Sequence, residues 1–125
     1  MLNTIAGVIG AIVTFAFGGW SEALTCLVIA MGIDYVTGVS SAWKEKSLNS
    51  QIGFWGLAKK GLILLIIMLA HRIDLLLDIN MIMGGAIYFY IANELISIIE
   101  NYGRLGLPLP EQIKNIITIL KDKKK

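Results

Sequence analysis

An all-α membrane protein is the fold class this sequence predicts: a bundle of four transmembrane helices, or three, followed by a short amphipathic helix. Two observations predict it. Of the 125 residues, 56% are hydrophobic and only 16% are charged, against about 45–50% apolar and about 25% charged in soluble domains. The apolar residues also lie in blocks of the length a helix needs, about 20 residues, to cross a bilayer's hydrocarbon core. The organisation expected is one membrane domain over residues 1–102 and a basic tail over 103–125.

The first block, residues 2–20, is uncharged and glycine-rich. No lysine or arginine occurs in residues 1–21 to form the positive region of a signal peptide, so it reads as a retained helix. The second, residues 23–43, is interrupted by one charge, Asp34. An aspartate at the centre of a span costs roughly 2.5–3.5 kcal/mol on insertion scales, so its retention asks for a reason. The third, about residues 57–77, opens with Lys59 and Lys60, which can snorkel to the interface, and closes on His71, Arg72 and Asp74. The fourth, residues 79–99, is uncharged except for Glu94.

Gly103, Gly106, Pro108 and Pro110 then break the helix. Ile113, Ile116, Ile117 and Leu120 recur at i, i+3, i+4 and i+7, opposite Lys114, Asn115, Thr118 and Lys121. That pattern predicts a short amphipathic helix lying on the inner membrane surface.

The lysines set the orientation. The net charge is only +2, but the lysines fall in two groups: Lys44, Lys46, Lys59 and Lys60, then Lys114, Lys121, Lys123, Lys124 and Lys125. Positive residues favour the cytoplasmic side and anionic headgroups, so loop and tail both read as cytoplasmic. Four spans then place the N-terminus inside; three spans, with the first segment on the membrane or outside, fit as well. Beside apolar blocks, the basic tail reads as a topology signal and not as a nucleic-acid contact.

Polar and small residues repeat at helical spacing on each span. Thr4, Gly7, Ala11, Thr14 and Gly18 on the first read as close packing, as do Gly38, Gly84 and Gly85. On the others the stripes are Asp34, Thr37, Gly38 and Ser41; His71, Asp74 and Asp78; and Tyr90, Glu94, Ser97 and Asn101. Ionisable groups there usually face a bundle interior or a water-filled path, and Asp34, Glu94 and Asn93 can be buried between subunits or face water. If Trp43 and Lys60 both mark the inner interface, Asp34 and His71 share a depth and can pair; otherwise His71 lies with Arg72 at the outer headgroups. Cys26, among Leu24, Thr25, Leu27 and Val28, reads as a small packing residue and leaves no intrachain disulfide. One histidine and one cysteine, with no zinc-ligand spacing and no phosphate loop, give no basis for a catalytic residue, a metal or a cofactor.

Four motifs carry a resemblance: "IDYVTG" at Ile33–Gly38, "GFWGLAKK" at Gly53–Lys60, "ANELISIIEN" at Ala92–Asn101 and "GLPLPEQIK" at Gly106–Lys114. In this order and spacing they are similar to the toxin-secretion/phage-lysis holins of Gram-positive bacteria, including clostridial members beside large toxin genes. Residues 1–22 match only in hydrophobic character. The resemblance implies a multi-pass protein of the cytoplasmic membrane that oligomerises with itself into holes. Through these a cell-wall hydrolase (an endolysin), or a large toxin, leaves the cell. Two other readings of the residues stay open: a narrow ion or proton pathway using Asp34, Glu94 and His71, and a non-conducting membrane adaptor.

Overall fold

The computed structural model describes residues 1–113, 115, 118 and 119. Four helices follow one another: α1 (Leu2–Phe17), α2 (Glu22–Lys44), α3 (Ser50–Leu77) and α4 (Ile82–Arg104). No strand occurs among the described residues. At 1.5 Å per residue the 23 residues of α2 and of α4 and the 28 of α3 make rods of roughly 35 and 42 Å, longer than a hydrocarbon core of about 30 Å. These three are long and apolar enough to cross a membrane. The 16 residues of α1 reach only roughly 24 Å.

Helix boundaries follow local chemistry. Ser21 starts α2 by accepting the Leu24 N–H at 3.2 Å, and Asn49 starts α3 by accepting the Ile52 N–H at 2.9 Å. Because Asn49 caps the chain there, α3 begins seven residues ahead of the span expected at 57, and Lys60 lies well inside the helix. Gly18 ends α1 in the left-handed region at φ 73°, and Gly19 follows at φ 126°. Both conformations suit glycine, so the first helix stops at Phe17 and not at residue 20.

The α2–α4 contact is the most extensive, α3 packs on α4, and α2 and α3 touch only sparsely. Alternation through short turns makes α2 and α4 parallel and α3 antiparallel to both. The core between them is Leu24, Leu27, Met31, Ile67 and Ile87. Residues 2–12 of α1 are exposed throughout, and α1 meets the bundle through α3.

At one end of the bundle the side chain of Arg104, closing α4, grips Glu45 with two hydrogen bonds of 3.0 and 2.8 Å. Lys44 donates to the Leu105 carbonyl at 3.0 Å. This end also carries Lys46, which is exposed in the α2–α3 turn at φ 60°, and exposed Trp43, Phe54 and Trp55, an arrangement typical of a membrane–water interface. Cys26, expected in packing, is exposed instead. Beyond the breakers, residues 111–113, 115, 118 and 119 are helical. The apolar stripe expected there depends on Ile116, Ile117 and Leu120. These residues, with Lys114, Lys121, Lys123, Lys124 and Lys125, lie outside the described residues.

Candidate functional site

Asp34, Lys60 and Glu94 each lie ten residues from the same end of the bundle, counting from Lys44, Ser50 and Arg104. Ten residues of helix are roughly 15 Å, so three helices bring one ionisable group each to a common level. The Lys60 ammonium stands 2.8 Å from Asp34 Oδ2 and 2.9 Å from Glu94 Oε2. The side chains are 16%, 16% and 6% exposed for Lys60, Asp34 and Glu94, so the contact is sheltered by the protein itself.

Asn101, two turns beyond Glu94 on α4, completes the cluster. Its amide donates to Asp34 Oδ1 at 2.9 Å and to Thr37 Oγ1 at 2.9 Å, with a longer approach of 3.2 Å to the Asp34 carbonyl. Thr37 accepts that bond while donating to the Ile33 carbonyl at 2.7 Å. A Cβ at Gly38 would stand 3.5 Å from the Asn101 amide, an ordinary contact. Next to it, Tyr35 Oη donates to the Gly53 carbonyl at 3.2 Å. The ring passes Gly56, where a Cβ would sit 3.4 Å from Cε1. Residues from three of the sequence motifs therefore meet at one place.

These contacts correct the expected placement of Lys60 and bear on the pairing of Asp34 that stayed open. Lys60 does not snorkel to the interface; it is the partner of Asp34. Asp34 does not pair with His71, which stands eleven residues farther along α3, roughly 16 Å from Lys60 along the axis. His71 instead packs against Gly18, where a Cβ would come within 2.6 Å of the imidazole Cε1. The polar need of Asp34 is met inside one chain, so a second subunit is not required for it.

The other candidates distribute around this centre. Ser97 lines the same groove as Asp34, Lys59, Lys60, Glu94 and Asn101. Asn93, one residue from Glu94, is half-buried and outside the cluster's hydrogen bonds. Ser41 is fully buried, and its Oγ has no hydrogen-bond partner among the described residues. A Cβ at Gly7, Gly84 or Gly85 would meet nothing within 4 Å, and Ala11 is exposed, so these small residues make no close contact inside the chain.

Sequence reasoning missed Asp74 and Arg72 as capping groups. Asp74, 5% exposed, accepts the Ile82 and Met83 N–H groups at 2.9 Å each. It caps α4 in place of Met81, whose side chain makes no capping bond. Arg72 donates to the Phe15 carbonyl at the end of α1 and stacks on the Phe15 ring, its Cζ 4.0 Å from the centroid. Nothing local in the sequence announces either bond, because each closes a helix with a residue from another.

The groove beside the cluster has a volume of about 440 Å3 and extends from Glu94 to Ser47 and Arg104 at the lysine-bearing end. Because α2 and α3 touch so little, it lies between them with α4 behind. No group of three or more potential metal ligands occurs among the described residues.

The model of the bacteriophage holin family matches residues 11–122. An uncharacterised protein of Halalkalibacterium halodurans is 42% identical over 97% of this chain and 94% of its own length. An uncharacterised 14.9 kDa protein from the nagH 3′ region of Clostridium perfringens is 43% identical over 93% of this chain and 89% of its own. A probable holin of Bacillus phage phi105 is 35% identical over 82% of this chain and 76% of its own. No solved structure matches the chain. The family match takes in α2, α3 and α4 whole, with every residue of the ion cluster, and on this ground the chain belongs to the bacteriophage holin family.

Proposed function

We propose that this protein accumulates in the bacterial cytoplasmic membrane and assembles with itself into holes. Through them a cell-wall hydrolase, or a large toxin, leaves the cytoplasm. Family membership supports a pore-forming role and not an enzymatic one. The observation that carries the reading furthest is the polar groove. Three helices apolar enough to span the membrane enclose, at bilayer depth, a wall bearing Asp34, Ser97, Glu94 and Asn101. Membrane-embedded charges of this kind face protein or water and not lipid, so a bundle with this flank is suited to assembling with further copies. The lysine-bearing end, with Lys44, Lys46 and the tail, is the cytoplasmic one by the positive-inside rule.

Induction in bacteria tests this directly. Membrane potential should collapse, and a co-expressed cytoplasmic hydrolase should then appear outside the cells. Leakage of potassium with proteins retained indefinitely would favour the narrow ion pathway, and no leak at all would favour the adaptor. The separation of His71 from the cluster weighs against a relay joining Asp34, Glu94 and His71.

A further inference from the structure

The groove presents charged and amide groups on the flank of a membrane bundle, and hydrocarbon cannot cover it without leaving them poorly solvated. Within it the ion cluster holds two carboxylates, Asp34 and Glu94, against one ammonium, Lys60. The neighbouring residue, Lys59, lines the same groove and lies within roughly 1.5 Å of the same depth. Lys59 is exposed; its ammonium rests over the Trp55 ring at 5.8 Å, with no carboxylate in ion-pair reach among the described residues. Of the other cations near this end, Arg104 is engaged with Glu45 and Lys44 with the Leu105 carbonyl, while Lys46 lies in the exposed α2–α3 turn, beyond the level of the cluster. One level of the chain thus carries a cluster short of a cation and a cation short of a carboxylate.

We propose that two copies of the chain meet groove to groove, Lys59 of each supplying the second cation to the Asp34–Lys60–Glu94 cluster of the other. The proposal rests on the reading of this protein as a self-assembling one, and it names the contact. A two-fold axis along the membrane normal keeps depth unchanged between copies. Because Lys59 and the cluster share a depth, the contact is reciprocal, as a two-fold interface requires. The four-carbon stem of lysine lets the ammonium leave Trp55 and reach across. Closure removes the polar flank from lipid on both copies at once.

Two differently tagged copies, each carrying Cys26→Ser, test the contact in membranes. One bears Lys59→Cys and the other Ser97→Cys; the second copy keeps its own Lys59, so one of the two reciprocal pairs survives. A short bismaleimide should bridge the two tags. It should fail when Leu65→Cys, on the exposed face of α3, replaces Lys59→Cys. In otherwise unmodified protein, Lys59→Met should lose the dimer and Lys59→Arg should retain it. The proposal falls if Lys59→Met dimerises like the parent, or if no bridge forms between copies that still release a hydrolase. A dimer that forms as described but releases nothing overturns the hole-forming function and leaves the contact standing.

Discussion

In the half of the bundle nearer the lysines, Asp34, Lys60 and Glu94 meet side chain to side chain. At the opposite end, Asp74 and Arg72 direct their polar atoms to backbone groups, the first N–H groups of α4 and a last-turn carbonyl of α1. Both regions answer the same difficulty, polar atoms in apolar helices. The answers differ in what their loss leaves behind. A helix end without its cap can recruit water near the interface. A charge without its partner, roughly 15 Å inside the helix ends, can reach water only along the groove. The inner contact is also non-local, joining residues 26 and 34 apart in sequence, whereas Asp74 caps a helix starting eight residues later.

The largest effect should come from Lys60→Met, which keeps the stem and deletes the charge. It leaves two carboxylates together without a cation, and breaking a buried pair in this way costs about 3–5 kcal/mol. Unfolding in mixed micelles should show that loss, with little protein recovered in the membrane. Adding Asp34→Asn and Glu94→Gln to the same chain should restore most of the stability, since no charge then remains to be matched. If Lys60→Met unfolds no more readily than a variant lacking the Asp74 cap, the contrast between the two regions is wrong.

Asp34→Leu should come next. Lys60 keeps Glu94 as a one-to-one partner, and the Asn101 amide keeps Thr37 Oγ1 and the residue-34 carbonyl but loses its charged acceptor, a cost of about 1.5–3 kcal/mol. Asp34→Asn retains a carbonyl acceptor for Asn101 and should lie closer to the parent. The sequence alone suggests that Asp34→Leu inserts well yet fails to assemble, on the argument that Asp34 needs a second subunit. The intrachain partners revise the reason: Asp34 is satisfied within one chain, and what it adds is the excess negative charge that calls for a second cation. Folding should weaken in the order Asp34→Asn, Asp34→Leu, Lys60→Met, whereas assembly should be lost in both Asp34 variants, whose clusters are balanced. Thermal unfolding and crosslinking on the same preparations separate the two effects.

How much of this was legible in the sequence depends on the range of the interaction. The apolar blocks gave three long helices, because span length and hydropathy are local quantities. Asp34 was legible as a problem but not its solution. The pair Lys59–Lys60 at the head of an apolar run looks like an interfacial anchor, and only Asn49 as a helix cap moves Lys60 ten residues inside. With that start known, counting from Lys44 and Ser50 puts Asp34 and Lys60 at one level. Asn101 stood on the right stripe with Glu94 and Ser97, but its two acceptors lie on α2, 67 and 64 residues away. Asp74 looks like part of a polar stripe for a similar reason: a cap supplied by another helix has no sequence signature.

A smaller and more local effect should follow Asp74→Ala. It removes the acceptor of two α4 amides, and no other side chain caps that helix. Hydrogen exchange at Ile82 and Met83 should accelerate by roughly tenfold, the scale of one lost cap, while Glu94 and Asn101 at the far side of α4 keep their protection. Faster exchange along the whole of α4 would mean that the outer cap and the inner cluster are one cooperative unit.

The smallest effect belongs to the pair that closes the lysine-bearing end. The Arg104 guanidinium donates two hydrogen bonds to Glu45 and, with its charge, holds this carboxyl below the usual glutamate range. Glu45 lies in the turn after α2, and the pair is nearly half exposed, so salt screens it and little stability at neutral pH is expected from it. The sign of its pH dependence is nevertheless fixed. A carboxyl whose folded-state value is depressed contributes fully above the unfolded value of about 4.3. It loses that contribution as the pH falls through the lowered folded value. Glu45→Gln should therefore leave the parent's behaviour unchanged near pH 7 in physiological salt. Below about pH 4 it should remove one component of the parent's acid-induced loosening at this end. Proteolysis of the 44–50 turn in proteoliposomes, followed from pH 7 downward for both proteins, measures the difference. A variant that loosens already at neutral pH would show that this exposed pair holds α2 and α4 together in a way that screening should not permit, and the contrast between a sheltered cluster and a solvated clasp would have to be redrawn.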